Sequence, residues 1–327
     1  MIDLSTWPAL VLTAGLATRL RPLSDVRAKA ALPVAGEPII SRILRWLRDA
    51  GVRRVVLNLH HRPETITRIV GDGADWNLAV RYSWEVPVLG SAGGPRRALP
   101  LLDAERFLIV NGDTLTDCDL RAVAERHVDT GALATIALVQ KAVDRYALVD
   151  EAGIVQGFAD EKAAGLKPRA TGSGRRHVAR TFRSADLPWH FIGVQAVEAR
   201  AFAGVPENQP FETVKQLYPA LIAQQSGSIR AFQSAAEFLD VGTIADYFDT
   251  VDVVAAREGR SVDRGSNTAV DPRAVVEHSI LWDRVRVEPG AQLIDCVVAD
   301  DVVVPAGARY ARCAIVADPG GLIVSPF

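Results

Sequence analysis

An apolar strand that breaks into a turn of mostly small residues, close to the start of the chain, does most to limit what this sequence can fold into. Ala9 to Leu12 has the length and Val/Leu content of a strand covered on both faces. It gives way to Thr13-Ala14-Gly15-Leu16-Ala17-Thr18, where the backbone can curl tightly and expose its N–H groups. Amides pointing one way after a strand form an anion cradle, and phosphate is the usual guest. Arg19, Arg21 and Lys29 add cations a short distance along the chain. This is a triphosphate site in outline, although the same residue types also build plain surface loops.

Strand-like and helix-like segments alternate from there on. Pro38 to Ala50 carries Ile39, Ile43, Leu44 and Leu47 at helical spacing, and Gly51 ends it. Arg53 to Leu59 reads as a second buried strand, and Pro63 opens a helix that stops before Gly71. Leu78 to Trp84 alternates as a strand, and Ala92 to Leu102 is a helix growing out of the Gly-rich stretch from Leu89 to Gly94. Arg106 to Val110 is a strand running into Asn111-Gly112-Asp113. This alternation predicts a parallel, doubly wound α/β sheet with ligands at the carboxyl ends of its strands. Cys118 to Gly131 reads as a helix, and Ala132 to Gln140 and Ala147 to Phe158 read as paired strands broken near Gly153. Trp189 to Ala196 reads as a strand, Phe211 to Gln225 as a helix, Leu239 to Thr243 as a tight turn, and Ile244 to Arg257 as a closing helix. Lys162 to Ala185, rich in Lys, Arg and Gly, reads as a long loop or lid, or as a solvated insertion.

The remainder is a repeat. A shift of 17 residues lays Val270, Val287 and Val304 over one another, and likewise Ala274, Ala291 and Ala308. Pro272 falls on Pro289, Gly290 on Gly307, and Ser279, Cys296 and Cys313 share a column. A β-rich repeat of this length fits one coil of a β-helix, with the apolar columns facing inward. About three coils suffice for a cap or an assembly surface, and are too few for a second, acyl-transferring domain.

The chain has 327 residues, enough for one large domain plus a smaller one. Its net charge of -2 gives no general attraction for nucleic acid or an acidic membrane. Three cysteines without a regular framework suit a reducing compartment, and the acidic, Lys- and Arg-free leader before Pro8 is unlike a signal peptide. The expectation is a cytoplasmic protein with no membrane and no nucleic-acid partner.

Two carboxylates are candidate metal ligands. Asp113 and Asp240 each follow an apolar strand beside a glycine, Gly112 or Gly242, where backbone crowding is least. Mg²⁺ takes hard oxygen ligands and keeps several waters, so two carboxylates suffice, although an Asp in a turn can equally cap its own backbone. His60 and His61 have no Cys or carboxylate at ligand spacing and read as structural.

Ala14-Gly15-x-Ala17-Thr18-Arg19-Leu20-x-Pro22-Leu23, followed by Lys29, Pro33-Val34 and Pro38, resembles the signature of the sugar-1-phosphate nucleotidyltransferases. These enzymes join a nucleoside triphosphate to a sugar 1-phosphate, and further matches follow in family order down to about residue 250, roughly three quarters of the chain. The family usually has Gly at Ala17 and Pro at Ala28. The resemblance implies a Rossmann-like mixed sheet over residues 1–258 and a short left-handed β-helix over residues 259–327, through which copies can assemble. It implies Mg²⁺ at Asp113 and Asp240, with Arg19, Lys29 and Lys162 as the catalytic cations. Ala14, Gly15, Leu16, Ala17, Thr18, Arg19, Glu85, Gly90, Gly93 and Gly112 would contact the nucleotide; Glu161, Lys162 and Gly193 would contact the sugar phosphate. The motif variety leans toward guanylyl transfer to mannose- or heptose-1-phosphate, with uridylyl or thymidylyl transfer open. Ala17 motivates a second reading, a weakly active sugar-nucleotide-binding regulatory subunit, because a β-carbon at a left-handed position costs roughly 1 kcal/mol.

Overall fold

The computed structural model describes residues 2–141, 145–160, 188–259 and 264–327. Four strands form the half of the sheet that carries the cradle: β1 (Ala9–Leu12), β2 (Arg54–Leu59), β3 (Ala79–Trp84) and β4 (Arg106–Asn111). They lie in the order β4-β1-β2-β3 and are all parallel, with Leu12 level with both Asn58 and Asn111. The chain therefore winds outward from β1 in one direction and returns to its other side with β4. That reversal opens a crevice at the carboxyl ends of β1 and β4. Helices α1 (Ile39–Ala50), α2 (Pro63–Val70) and α3 (Gly90–Leu102) make the crossovers. α1 buries Ile39, Ile43, Leu44 and Leu47 and ends at Gly51, whose φ of 112° lets its N–H turn back to Leu47 and Arg48.

The second half of the sheet departs from the parallel expectation. It comprises β5 (Ala134–Gln140), β6 (Arg145–Val149), β7 (Val155–Asp160), β8 (Trp189–Glu198) and β9 (Ile229–Ser234). β8 runs antiparallel to both β4 and β5, so the nine-stranded sheet is mixed. The expected pairing between the segments 132–140 and 147–158 also differs. β6 and β7 form a hairpin with each other across Gly153, whereas β5 pairs with β8 and β9. A local turn determines the first pairing; the second joins segments some fifty residues or more apart, and no short-range signal marks it.

Helices α4 (Leu120–Thr130), α5 (Tyr218–Gln224) and α6 (Ile244–Arg257) follow. The helix expected from Phe211 starts later, with a π-type turn over Thr213–Leu217. Phe211 is held out of it because its carbonyl accepts the N–H groups of Ala92 and Gly93 on α3.

The 17-residue repeat is realised in register. Val270, Val287 and Val304 pair successively, as do Val276, Leu293 and Tyr310, and Ile280, Val297 and Ala314. Three short parallel ladders result, with the apolar columns inside, in the pairing pattern of a β-helix. In the Ser279-Cys296-Cys313 column, Ser279 Oγ accepts the N–H of Cys296. Both cysteines are buried free thiols with their sulfurs 3.7 Å apart. A hairpin of Cys313–Asp318 and Gly321–Pro326 ends the stack.

This tail packs against the segment that follows β1. Trp282, fully buried, donates its indole N–H to the Tyr247 hydroxyl, which donates to the Pro33 carbonyl at 2.5 Å. Arg27 reaches across to Asp283 and Asp300 at 2.5 and 2.6 Å, with its guanidinium 5.2 Å from the Trp282 ring centroid. No helix among the described residues is long and apolar enough to cross a membrane.

Candidate active site

The small-residue turn after β1 has the conformation of a cradle. The amides of Gly15, Leu16, Ala17 and Thr18 make no hydrogen bond among the described residues. Gly15, Leu16 and Thr18 are exposed, and Arg19 is exposed beside them on the short helical turn Thr18–Leu20. Ala17 has φ 49° and ψ 40°, the left-handed region where a glycine is unstrained and an alanine is not. Ala28 has φ -55° and ψ 147°, which a proline would adopt, but its N–H donates to Thr65 Oγ1 at 3.1 Å. The two departures thus differ in kind: Ala17 adds strain, whereas Ala28 keeps a hydrogen bond that proline would lose.

The two candidate metal ligands meet although far apart in sequence. Thr114–Leu115 and Leu239–Asp240 form a two-stranded antiparallel ladder in which Asp240 faces Thr114. The Val241 N–H also donates to the Asp113 carbonyl. An ideal β-carbon on Gly242 would lie 3.0 Å from carboxylate oxygens of both Asp240 and Asp246, and 3.4 Å from the Arg19 guanidinium. A side chain here would press on the carboxylates and the guanidinium it faces. Lys29 Nζ donates to Asp113 Oδ2 at 2.5 Å. The Asp240 carboxyl is held above the usual carboxylate range, first by burial and then by the charge of Asp113; Lys29 and Arg19 oppose the shift. A buried carboxyl facing a second carboxylate gains from a cation placed between them. Among the described residues, no three His, Cys, Asp or Glu side chains are grouped to hold a metal. The hard-oxygen pair still fits Mg²⁺, which would be held by Asp113 and Asp240 and would keep several waters.

Helix α6 starts beside this pair. The Thr243 hydroxyl caps it, accepting the Asp246 N–H and donating to Asp246 Oδ2. Asp246 is thereby fixed in the first turn, where the partial positive charge of the helix end favours an anion.

A cavity of about 250 Å³ occupies the crevice between β1 and β4, lined by Ala14, Gly15, Asn58, Asn111, Asp113 and Glu212 among others. Two of these, Asn58 and Asn111, are site residues that the sequence reading missed. Asn58 is 3% exposed; its Oδ1 accepts the N–H groups of Thr13 and Ala14 at 2.6 and 3.3 Å. Its Nδ2 donates to Glu85 Oε1 at 2.7 Å. Glu85 Oε2 accepts the Leu89 N–H, so Glu85 is a buried anchor holding the turn 85–89 to the cradle. Burial raises its pKa above the ordinary range. Asn111 lies against Gly193, which has φ 76° at a bulge in β8; a β-carbon there would be 2.4 Å from the Asn111 amide. The space at Gly193 is thus filled by the Asn111 side chain. Such asparagines stand at strand ends, and only their position there marks them in the sequence.

Other expected contact residues are placed as follows. Gly112 lies against the end of β1, where a β-carbon would be 2.7 Å from the Leu12 carbonyl. Gly90 and Gly93 are covered by the segment Gln209–Glu212, whose backbone oxygens approach within 2.9 and 2.7 Å of their ideal β-carbons. Glu161, Lys162 and the basic stretch 162–185 lie outside the described residues. His60 and His61 bond the carbonyls of Glu85 and Ser24.

A second cleft, of about 430 Å³, is lined by Asp240 together with Lys141, His190, Phe238, Asp246 and Thr250. Lys141 lies 4.5 Å from the Phe238 ring centroid, and His190 packs against the same ring. Burial lowers the His190 pKa, which favours the neutral imidazole.

A sequence profile described as nucleotidyl transferase matches residues 8–175. The chain is 28% identical over 316 residues to a mannose-1-phosphate guanylyltransferase of Mycobacterium tuberculosis, covering 93% of this chain and 83% of the relative. It is 26% identical over 299 residues to a UTP–glucose-1-phosphate uridylyltransferase of Synechocystis, covering 86% and 72%. The crystal structure of HddC from Yersinia pseudotuberculosis has the same fold, with a TM-score of 0.60 at 22% identity, over 76% of this chain and 99% of that one. The cradle after β1, the carboxylate pair beside it and a profile match over half the chain agree: this chain belongs to the nucleotidyl transferase family, among the sugar-1-phosphate nucleotidyltransferases.

Proposed function

We propose that the chain transfers a guanylyl group from GTP to mannose- or heptose-1-phosphate, releasing pyrophosphate, with Mg²⁺ at Asp113 and Asp240. The observation that carries this reading is the ladder that sets Asp240 beside Asp113, between the cradle cavity and the second cleft. In-line displacement at the α-phosphorus needs its nucleophile and leaving group on opposite sides, and two cavities flanking one carboxylate pair suit that need.

The nucleotide phosphates take the free amides from Gly15 to Thr18, with Ala14 and Gly112 shaping the floor. Arg19 neutralises the departing pyrophosphate. Lys29 exchanges its bond to Asp113 for a phosphate oxygen, a small movement for a flexible ammonium. Mg²⁺, when bound, supplies charge neutralisation on the phosphate oxygens. The acceptor enters from the Lys141 and His190 side, and Glu161 and Lys162 are the residues expected from the sequence to hold it. Residues 1–258 carry the transfer. Residues 259–327 form a left-handed β-helix that braces the loop containing Lys29 and offers a surface for self-association.

A pyrophosphate-release screen of the four common ribonucleoside triphosphates against a panel of sugar 1-phosphates tests this. The expected result is divalent-metal-dependent release, with GTP and a mannose- or heptose-type acceptor best. Release from none of the pairs would overturn the transfer reading, and a clear UTP preference would overturn the guanylyl part.

A further inference from the structure

The cradle cavity has one carboxylate whose bonding is incomplete. Glu85 is fully engaged, with each oxygen accepting an N–H. Glu212 is exposed and lines the same cavity as Ala14 and Gly15 of the cradle. Its Oε2 accepts the Ser91 hydroxyl proton at 2.7 Å, while Oε1 has no hydrogen-bond partner among the described residues. The carboxylate is nevertheless fixed in place. Ser91 Oγ also accepts the Thr213 N–H at 2.9 Å, and the Glu212 N–H donates to Gln216 Oε1 at 2.8 Å. Gly90 makes the approach possible, because a β-carbon there would be 2.8 Å from Glu212 Oε1. Val88 and Leu12 supply apolar surface in the same cavity, suited to the faces of a planar ring.

With the phosphates in the cradle, the metal at Asp113, and Asn58 and Glu85 bonded to each other, the 88–91 turn, the neutral Asn111 and Glu212 remain to face the base, and Glu212 is the one that carries a charge. We infer that Glu212 is the specificity-determining residue for the nucleobase, and that it selects guanine. This rests on the nucleotidyl-transfer reading. A carboxylate presents only acceptors, and guanine presents two adjacent donors, N1–H and the exocyclic amino group, at matching spacing. Uracil and thymine offer one N–H flanked by two carbonyl oxygens, which a carboxylate repels. Adenine offers an amino group beside an unprotonated ring nitrogen, so only one bond forms.

The test compares kcat/KM for GTP, inosine triphosphate and UTP in the wild-type protein and in Glu212→Gln, alongside calorimetric binding of GDP, inosine diphosphate and UDP. Inosine keeps N1–H and lacks the amino group. Glu212 is exposed, and glutamine keeps an oxygen for Ser91, so the variant is expected to fold with an unchanged melting midpoint. The wild type is expected to prefer guanine over both other bases. Glu212→Gln is expected to lose at least about tenfold in the guanine-to-uracil ratio, since one bond to a charged group is worth that much; its guanine-to-hypoxanthine gap is expected to shrink as well. A wild-type preference for uracil, an unchanged ratio in the variant, or an equal loss for all three bases would overturn the assignment. The last pattern would place Glu212 on the ribose instead. If no triphosphate supports pyrophosphate release, the transfer reading fails by itself, while the diphosphate binding ratios still decide the base assignment.

Discussion

At the scale of single residues, the site combines strain in one place with buried order in another. Ala17 holds a left-handed conformation at the centre of the cradle. Replacing it by glycine removes a β-carbon clash worth about 1–2 kcal/mol and gives back part of that in unfolded-chain entropy. Ala17→Gly should therefore raise stability by up to about 1 kcal/mol and leave turnover equal or higher. A denaturant midpoint and a kcat/KM measurement check both, and a large loss of activity would contradict the account of the cradle. Asn58 is the opposite case, a buried polar side chain bonded to Thr13, Ala14 and Glu85. Asn58→Ala removes the partner of Glu85 Oε1 and of the Thr13 and Ala14 amides, so a loss of about 2–3 kcal/mol is expected, with a raised KM for nucleotide. Wild-type stability and KM in that variant would show that the network does not set the cradle. The sequence made the small residues of the turn and the two aspartates visible, because Gly and strand-end Asp are local signals. It did not reveal Asn58, Asn111 or Glu212. Their meaning lies in partners such as Thr13, Gly193 and Ser91, which are 45, 82 and 121 positions away.

At the scale of elements, short-range pattern was a good guide wherever one element determines its own boundary. Ala9–Leu12 and Ile244–Arg257 lie where apolar content and the Thr243 cap place them. The 17-residue repeat gave the register of the tail because each coil stacks on an equivalent copy. Strand direction was not legible in the same way. β8 lies antiparallel between β4 and β5 through pairings that no local turn dictates. The join between α6 and the tail carries a pH-dependent contact. His278 bonds Asp295 on the next coil at 2.6 Å and Asp252 on α6 at 2.7 Å, with the Phe248 ring against it. The Asp295 bond leads in raising its pKa; burial opposes and Asp252 adds to the rise. A raised histidine pKa means that the folded state holds the proton more tightly. The contribution is complete below the unfolded value of about 6.5 and is lost as pH rises through the folded value. The ring is half exposed, so the effect should stay within about 1 kcal/mol. His278→Gln should be less stable than wild type near pH 5.5, with the gap closing by about pH 8.5. Parallel unfolding curves at the two pH values measure this, and a gap that widens with pH would contradict it.

At the scale of the whole molecule, the tail and the sheet form one folded body around the loop from Arg27 to Pro33. Trp282, Tyr247 and Pro33 are linked by hydrogen bonds inside the same core that covers one face of the sheet. Lys29 sits on that loop, two residues from the Arg27 pairs to Asp283 and Asp300. The tail is thus bonded to the loop that carries Lys29, a link that spacing within either region alone could not reveal. The central claim is that Asp113 and Asp240, brought together by the ladder at Thr114, act as one metal-binding pair facing the cradle. The most direct measurement is Mg²⁺-dependent pyrophosphate release by wild type and Asp240→Asn, with melting midpoints taken on the same samples. The account predicts metal-dependent release by the wild type and a loss of at least about 100-fold in a variant that remains folded. Turnover by folded Asp240→Asn within a few-fold of wild type would contradict it.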